Sequence, residues 1–365
     1  MLLLDIISLQ LCEFRSEAPP YATFSCDIRN PVHDDPCSPQ TACQGPGFQA
    51  LQRACSECQG HGLQWLWNDA LCIDRGSNAA LSESLNALAE VYRKGRLCIV
   101  YLHDLLDTEA SDFDLELGLS SCSWFKHVWM LPHLIFSTVL QFYDAQWNHI
   151  GSKSELIPEL SHMTSIDKGV LRDSNLLGDY SNSTKMSWAA GLSADHIEDV
   201  AYSLLAIFNV NMAINYGEGM NSFLRLQEEI LNSTDDYSLL AWQPRTNQQY
   251  RGLLAHSPLE YSHFKKESLN LKGELKVQSD AIHIQVGLGG RGNDLLLPLH
   301  TSGGPTTWIV LSLWDGIFVR NCMETRMDGD DASNVYVRNI SIRRDVSPAL
   351  SEKIVTHRAA PQEKL

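Results

Sequence analysis

The sequence contains no apolar run long enough to cross a bilayer, which takes about 20 consecutive apolar residues in a helix. Its apolar opening, Met1 to Leu11, is interrupted by Asp5 and has neither a basic leader nor a small-residue cleavage site. We therefore expect no membrane span, and we interpret this opening as a first β-strand and not as a signal peptide.

Basic residues are also scarce. The 365 residues include 28 Lys and Arg against 44 Asp and Glu, which gives a formal net charge of -16. Proteins that bind nucleic acid neutralise phosphates with clustered Lys and Arg, and this sequence has no such clusters. We expect an acidic protein that does not bind nucleic acid.

Cysteine is too sparse for a disulfide framework, because the ten cysteines are scattered over a long chain. Reduced thiols and a cytoplasmic location are the expectation. Cys55 and Cys58 form a C-x-x-C pair, which leaves a zinc site open as one hypothesis. Three further potential ligands lie nearby: Cys37, Cys43 and His61. The alternative, buried thiols that pack a helix, is favoured because the pair lies inside a predicted helix at residues 48–59.

The sequence does contain enough apolar residues for a folded core, with 44% hydrophobic and 20% charged residues. The clearest unit runs from Trp65 to Asp104. Residues 65–73 are apolar or aromatic apart from Asn68 and Asp69, which is the character of a buried parallel strand. A helix with Leu81, Leu85 and Tyr92 on one face follows, and residues 97–102 form a second apolar run. Strand, helix and strand predict a right-handed βαβ unit.

Three aspartates fall near the carboxyl ends of these two predicted strands: Asp69, Asp74 and Asp104. Open α/β sheets place their ligand crevice at this edge, so the three carboxylates are candidate site residues. The alternative is structural, because aspartate at a strand end often only caps a turn or the next helix.

The whole chain is predicted to divide into four segments. Residues 1–150 form a doubly wound α/β domain. Residues 151–232 form a helical extension, because apolar positions recur at helical spacing in two of its stretches, residues 197–208 and 223–231. Short β-like runs, beginning with Ser238 to Trp242, predict a β-rich domain at residues 233–345. Residues 346–365 are expected to form a flexible tail.

Three motifs in the central stretch occur in a recognisable order and spacing. They are W-N-D-A-L-C-I-D at residues 67–74, L-S-E-S-L-N at residues 81–86, and a strand motif that runs from Tyr92 through Cys98 to Leu102. These motifs closely resemble the W-I-D-x-x-C-I-D, S-E-x-x-N and Y-x-x-A-x-x-C-x-x-Y-L motifs of the fungal heterokaryon incompatibility (HET) domain. Similar blocks lie at residues 2–28, 122–134, 141–153 and 186–230.

The sequence departs from this family pattern at three places. Residues 25–28 are Ser-Cys-Asp-Ile where the family has S-H-T-W. Pro132 and His133 replace the Gln-Glu pair of W-T-L-Q-E-L, and Leu192 and His196 replace two arginines.

The resemblance implies a fold similar to that of Toll/interleukin-receptor (TIR) domains, in which a glutamate of the W-x-x-x-E-L helix takes part in NAD cleavage. A carboxylate there would stabilise the developing ribosyl cation, and His133 cannot supply a negative charge. We therefore expect a non-catalytic or degenerate interaction module without a cofactor. The alternative is an NAD-cleaving death effector in which Asp69, Asp74 or Asp104 replaces the missing glutamate.

The resemblance further implies a role in nonself recognition and programmed cell death after hyphal fusion. A module of this kind is expected to act through protein partners or self-association. A third hypothesis is a variant stabilised by zinc at Cys55 and Cys58.

Overall fold

A computed structural model describes residues 1–26, 46–106, 108, 114–263, 269–271, 273–278, 281–291, 294–301, 306–327 and 336–359. Contacts divide the chain into two compact units. Unit 1 consists of Met1–Leu177 and Leu192–Gly217, and unit 2 consists of Gly178–Gly191 and Glu218–Leu365. The predicted helical extension, residues 151–232, therefore contributes to both units.

The strands in chain order are β1 (Leu2–Asp5), β2 (Leu11–Glu13), β3 (Tyr21–Cys26), β4 (Trp65–Trp67), β5 (Leu97–Tyr101), β6 (Leu140–Tyr143), β7 (His149–Ser152), β8 (Tyr250–Arg251), β9 (Leu269–Asn270), β10 (Gly273–Val277), β11 (Ala281–Arg291), β12 (Asp294–Thr301), β13 (Thr306–Trp314), β14 (Ile317–Met327) and β15 (Tyr336–Arg343).

The α-helices are α1 (Pro46–Gly60), α2 (Asp69–Cys72), α3 (Asn78–Asn86), α4 (Leu88–Lys94), α5 (Leu115–Ser121), α6 (Met130–Phe136), α7 (Ile157–Thr164), α8 (Lys168–Arg172), α9 (Asn182–Ser187), α10 (Asp199–Tyr202), α11 (Leu205–Phe208), α12 (Asn221–Ser233) and α13 (Pro348–Ala359). Within the described ranges, none of the helices has the length and apolar character needed to cross a membrane.

The sheet of unit 1 has seven strands in the order β2-β1-β4-β3-β5-β6-β7. Its four central strands, β4, β3, β5 and β6, are mutually parallel, and antiparallel strands flank them on both sides. In chain order the parallel strands run 2-1-3-4, which is a doubly wound order. The α/β architecture predicted for this part of the chain is therefore present.

Helices cover both faces of the parallel strands. On one face, Ala54 and Cys58 of α1 pack with Phe24 of β3 and Ile99 of β5 in an apolar core. Neighbouring residues of a strand point to opposite faces, and on the other face the indole of Trp124 reaches Ser25 of β3. Helices α4 and α6 pack against each other. Because both faces of these strands are buried, their sequences are nearly continuous apolar runs.

Strand β4 is shorter than the strand predicted over residues 65–73. It ends at Trp67, and helix α2 begins at Asp69. The residue between them, Asn68, has an extended backbone, and its side-chain amide donates to the Phe24 carbonyl oxygen at 3.2 Å. Two polar residues inside an apolar run therefore mark the end of the strand.

Unit 2 is built around an eight-stranded sheet in the order β10-β11-β15-β14-β13-β12-β9, with β8 paired to β14. The pairs are antiparallel except for β14 with β15. The β-rich prediction for the carboxyl-terminal part is confirmed. The strand predicted at residues 238–242 is wrong, because residues 237–241 form a 3₁₀ helix. The Asp236 carboxylate caps that helix by accepting from the amide and the hydroxyl of Ser238.

The prediction of a flexible tail is wrong for residues 348–359, which form α13. Ile354 of this helix packs with Val346, Tyr250 and Val319 in a small apolar core, and Leu350 packs against it. The spacing of Val346, Leu350 and Ile354 is helical, so the sequence carried this signal. Residues 360–365 lie outside the described part of the chain.

Candidate functional site

The four parallel strands of unit 1 end at one edge of the sheet, where doubly wound folds bind their ligands. Their last residues are Cys26, Trp67, Tyr101 and Tyr143. Since β4 lies on one side of β3 and β5 on the other, the direction of winding reverses between β3 and β5. The crevice of such a sheet is therefore expected beside Cys26 and Tyr101. Asp27 and Ile28, which follow β3, lie outside the described residues.

Two side-chain hydrogen bonds fix the ends of β3 and β4 at this edge. Asn68 donates to the Phe24 carbonyl, and the Trp124 indole Nε1 donates to the Ser25 hydroxyl at 2.8 Å. All of these side chains are buried. Sequence reasoning noticed Asn68 only as a polar interruption of a strand, whereas its position in an apolar run signals a buried partner.

Asp69 is the first residue of α2, directly after the strand end. Its carboxylate accepts a hydrogen bond from the Ala70 amide at 2.9 Å. The same negative charge acts on two buried groups of the neighbouring helices: it adds to the rise that burial causes in the pKa of Tyr92, and it partly offsets the fall that burial causes in the pKa of His133. The structure therefore brings Asp69 into the electrostatic neighbourhood of His133.

His133 lies inside α6 with 3% of its surface exposed. Its Nδ1 is 2.9 Å from the Trp129 carbonyl oxygen. A carbonyl oxygen only accepts hydrogen bonds, so Nδ1 carries the proton, and in the neutral ring Nε2 holds the lone pair. Burial lowers the pKa of the imidazole, against smaller opposing effects of the Trp129 hydrogen bond and of Asp69. His133 is therefore a neutral group at pH 7.

Aromatic rings surround this histidine. The centroid of the Tyr92 ring is 4.3 Å from that of His133, and the centroid of the Trp124 ring is 6.4 Å away. Tyr92 in turn meets Trp67 of β4 edge to face at 5.6 Å. Because rings pack against the imidazole on more than one side, position 133 belongs to the packed interior between α4, α6 and the sheet.

The other two candidate acids serve local structure. The exposed Asp74 accepts from the Gly76 amide at 2.8 Å and closes a turn before α3. Asp104 accepts from the Ser123 amide at 2.8 Å, at the start of the 3₁₀ helix Ser123–Lys126. Burial would raise the pKa of Asp104, but hydrogen bonds from Ser123 outweigh it and lower the pKa. Asp74 therefore has the turn-closing role that the sequence left open as the alternative, whereas Asp104 accepts from the start of a helix that lies beyond α5 in the chain.

Two features of this edge were missed by sequence reasoning. The Tyr101 ring stacks on Trp147 with a centroid distance of 4.6 Å. Asp144, fully buried after β6, accepts from the amides of Gln146 and Asn148 and from the Thr108 hydroxyl. An aspartate directly after a buried strand was the available signal, and it organises the loop that positions Trp147.

Lys153 lies at the opposite edge of the sheet, just after β7. It is 5% exposed, and its ammonium donates to the Ser137 carbonyl oxygen at 2.9 Å, at the end of α6. Strands β6 and β7 form an antiparallel hairpin that ends just before this lysine. The cation itself caps a helix carboxyl terminus, where the helix dipole favours positive charge. Burial lowers its pKa to about 8.

The comparison with protein families bears on this architecture. Residues 40–131 match the family model "Heterokaryon incompatibility protein (HET)". The chain contains a HET domain. It is also similar to "Vegetative incompatibility protein HET-E-1" of Podospora anserina, with 32% identity over 189 residues, which cover 50% of this chain and 14% of that protein. The chain thus spans a small part of that relative's length. No solved structure matches the chain.

The matched part of the HET domain stops at Leu131, just before its departure at Pro132 and His133. Proline in the interior of a helix removes a backbone donor and kinks the helix, whereas the first turn tolerates it. Helix α6 begins at Met130, so Pro132 lies in the first turn, where amides have no acceptor within the helix. The backbone of the helix therefore tolerates the proline. Of the two replacements, only His133 changes the chemical groups that the helix presents.

The charged residues that survive from the carboxyl-terminal family block make structural contacts. In unit 1, Glu198 accepts from the Gly217 amide at 2.8 Å, and Asp199 accepts from the Tyr216 hydroxyl at 2.7 Å. Burial raises the pKa of Asp199. In unit 2, Arg225 pairs with Glu218. The His196 ring, at a lost arginine position, packs edge to face on Tyr216 at 5.3 Å.

Cys55 and Cys58 are both buried, free thiols on the inner face of α1. Burial raises the pKa of Cys55 to about 11 and that of Cys58 further. Their place in the core fits the packing hypothesis. Among the described residues no group of three His, Cys, Asp or Glu side chains is arranged to hold a metal ion. Cys37 and Cys43, which the zinc hypothesis includes, lie outside those residues.

Proposed function

We propose that this HET-domain protein acts in heterokaryon incompatibility as a non-catalytic module, which receives a nonself signal through protein contacts and promotes cell death. The family match and the similarity to a vegetative incompatibility protein support the biological role. The state of His133 carries the non-catalytic part of the proposal. A neutral imidazole packed between Tyr92 and Trp124 cannot stabilise a developing cation as a carboxylate does.

The proposal includes a TIR-like fold for unit 1. The order of its parallel strands, 2-1-3-4 along the chain, and the helices on both faces support that likeness. We propose that this chain contacts proteins and not nucleic acid, because its formal net charge of -16 repels nucleic acid phosphates.

The test is expression of the chain in a filamentous fungus, scored by growth and by staining of dead cells. The wild-type chain is expected to impair growth, and Asp69→Asn is expected to retain that effect because no carboxylate chemistry is involved. Asp74→Asn is the matched control, since this exposed aspartate only closes a turn. If the wild-type chain impairs nothing, and neither a partner nor an oligomer is recovered with it, the proposed role fails.

One observation favours a second candidate function, NAD cleavage. The Asp69 charge acts on both His133 and Tyr92, so this carboxylate is the best placed of the three candidate acids to replace the family glutamate. Release of nicotinamide from NAD by the purified chain would be measured, with Asp69→Asn and Asp74→Asn as a matched pair. Turnover that Asp69→Asn abolishes and Asp74→Asn preserves would establish catalysis. Undetectable turnover at high protein concentration removes this candidate.

A further inference from the structure

Unit 2 contains an open groove of about 570 Å³ that lies outside the family match. One wall comes from the end of α12 and the residues after it, and the other from β10. The lining residues are Leu231, Asn232, Ser233, Thr234, Asp235, Tyr237, Leu275, Lys276, Val277 and Gln278. We call this feature the β10 groove.

The β10 groove runs along the edge of the sheet and not across one of its faces. Side chains of a strand alternate between the two faces, so a groove over one face touches every second residue. Here four consecutive residues, 275 to 278, line the wall. Among the described strands, β10 is at the end of the sheet and pairs only with β11. The open wall is therefore the hydrogen-bonding edge of a terminal strand.

The strand register shows which backbone groups point into the groove. The Gln278 amide donates to the Ala281 carbonyl oxygen at 2.9 Å, across the antiparallel pair of β10 with β11. In an antiparallel ladder, alternate residues direct both backbone groups toward the partner strand and the others direct them away. Lys276 therefore bonds toward β11, whereas Leu275 and Val277 present their amides and carbonyls outward.

Charge distinguishes the occupants that this edge can take. Asp235 is exposed on the wall opposite the strand, and α12 ends there without a basic side chain in its last turn, where the helix dipole is negative. On the strand itself, Lys276 Nζ lies 3.6 Å from Glu274 Oε2, so a carboxylate of the same strand pairs with this cation. The wall facing β10 therefore attracts positive charge. A second copy of a chain with formal net charge -16 is disfavoured by repulsion.

We propose that the β10 groove binds an extended segment of a partner protein that carries Lys or Arg and adds to the sheet as a strand beside β10. Backbone groups of Leu275 and Val277 would pair with the segment, and Asp235 would face its basic side chain. Strand addition to an exposed sheet edge is a general mode of peptide recognition. This inference rests on unit 2 alone and stands independently of the proposed signalling role.

The test uses the full chain and a random linear peptide library displayed on phage, followed by anisotropy measurements on the selected peptides. Selected peptides are expected to be enriched in Lys and Arg. Val277→Pro removes one outward amide without touching the ladder to β11, and it should weaken binding about tenfold or more. Val277→Ala is the matched control, because it trims the side chain and keeps the amide. Asp235→Asn should weaken binding severalfold at low salt and less at high salt.

Hydrogen exchange on the wild-type chain provides a readout that does not depend on a variant's folding. The amides of Leu275 and Val277 should become protected when a selected peptide binds, whereas the Lys276 amide should be protected with and without peptide. Equal binding by Val277→Pro and Val277→Ala, unchanged exchange at these amides, or failure to select any peptide would overturn the proposal. A dimer in sedimentation that Val277→Pro dissolves would instead identify a second copy as the occupant.

Discussion

Replacement of Lys153 by Met should change how the stability of unit 1 depends on pH. This lysine caps the end of α6, the helix that carries His133, from a buried position. Methionine has a similar length and no charge, so Lys153→Met removes the titrating group with little change in volume. The perturbation therefore isolates the free energy of keeping one cation inside the domain.

The magnitude follows from the pKa of the lysine. Burial lowers it from an ordinary value of 10.5 to about 8 in the folded chain. Between these two values the unfolded state binds a proton that the folded state has released, so the free energy of unfolding rises with pH. Each pKa unit corresponds to about 1.4 kcal/mol, so the gain is about 3 kcal/mol. This gain is complete above pH 10.5 and is lost as the pH falls through about 8.

Urea denaturation of the wild-type chain and of Lys153→Met, repeated from neutral to alkaline pH, measures this gain. Other groups also titrate in this range, but they are shared by both chains. They cancel in the difference except for Cys98, because Lys153 acts on the pKa of that buried thiol. The difference, wild type minus Lys153→Met, should grow by about 3 kcal/mol with increasing pH. The exposed Lys168→Met serves as the control and should show no such growth. A wild-type curve parallel to that of Lys153→Met would refute the reasoning.

Three further predictions concern buried polar groups. Burial lowers the pKa of His133 below its ordinary 6.5, so on acidification the unfolded state binds a proton at a higher pH than the folded state does. The free energy of unfolding should therefore fall as the pH drops through 6.5. His133→Gln should weaken that fall in denaturation curves. Asn68→Leu leaves the Phe24 carbonyl without its donor and should lower the free energy of unfolding in urea by about 1–3 kcal/mol; an unchanged midpoint would contradict the assigned contact. Glu260→Gln leaves the buried Arg251 guanidinium uncompensated and should cost about 3–5 kcal/mol in thermal unfolding, whereas replacing both residues by apolar ones should restore most of the loss.

The candidate acids show how far a sequence motif can locate a site. Asp69, Asp74 and Asp104 were equivalent in the sequence, because each falls near a predicted strand end. In the structure, Asp74 and Asp104 accept hydrogen bonds from nearby backbone amides, and Asp69 acts on His133. This distinction depends on where α4 and α6 pack, which local patterns do not specify.

The errors of the sequence interpretation have local causes. The strand predicted at residues 65–73 ended early because Asn68 satisfies a neighbouring strand's carbonyl. The strand predicted at residues 238–242 is helical because Asp236 caps it. In both places a polar side chain overrode the apolar pattern, since a buried backbone group gains more from a partner than from continuing a regular element.

The sequence by itself determined the family, the βαβ core and the β-rich carboxyl-terminal part, because these are written in motifs and in the periodicity of apolar residues over short stretches. The tertiary structure decided the protonation of His133, the role of Lys153 as a helix cap and the open amides of β10. Each of these depends on groups that are distant in sequence, where burial sets the cost of a charge and strand pairing sets which backbone groups are used.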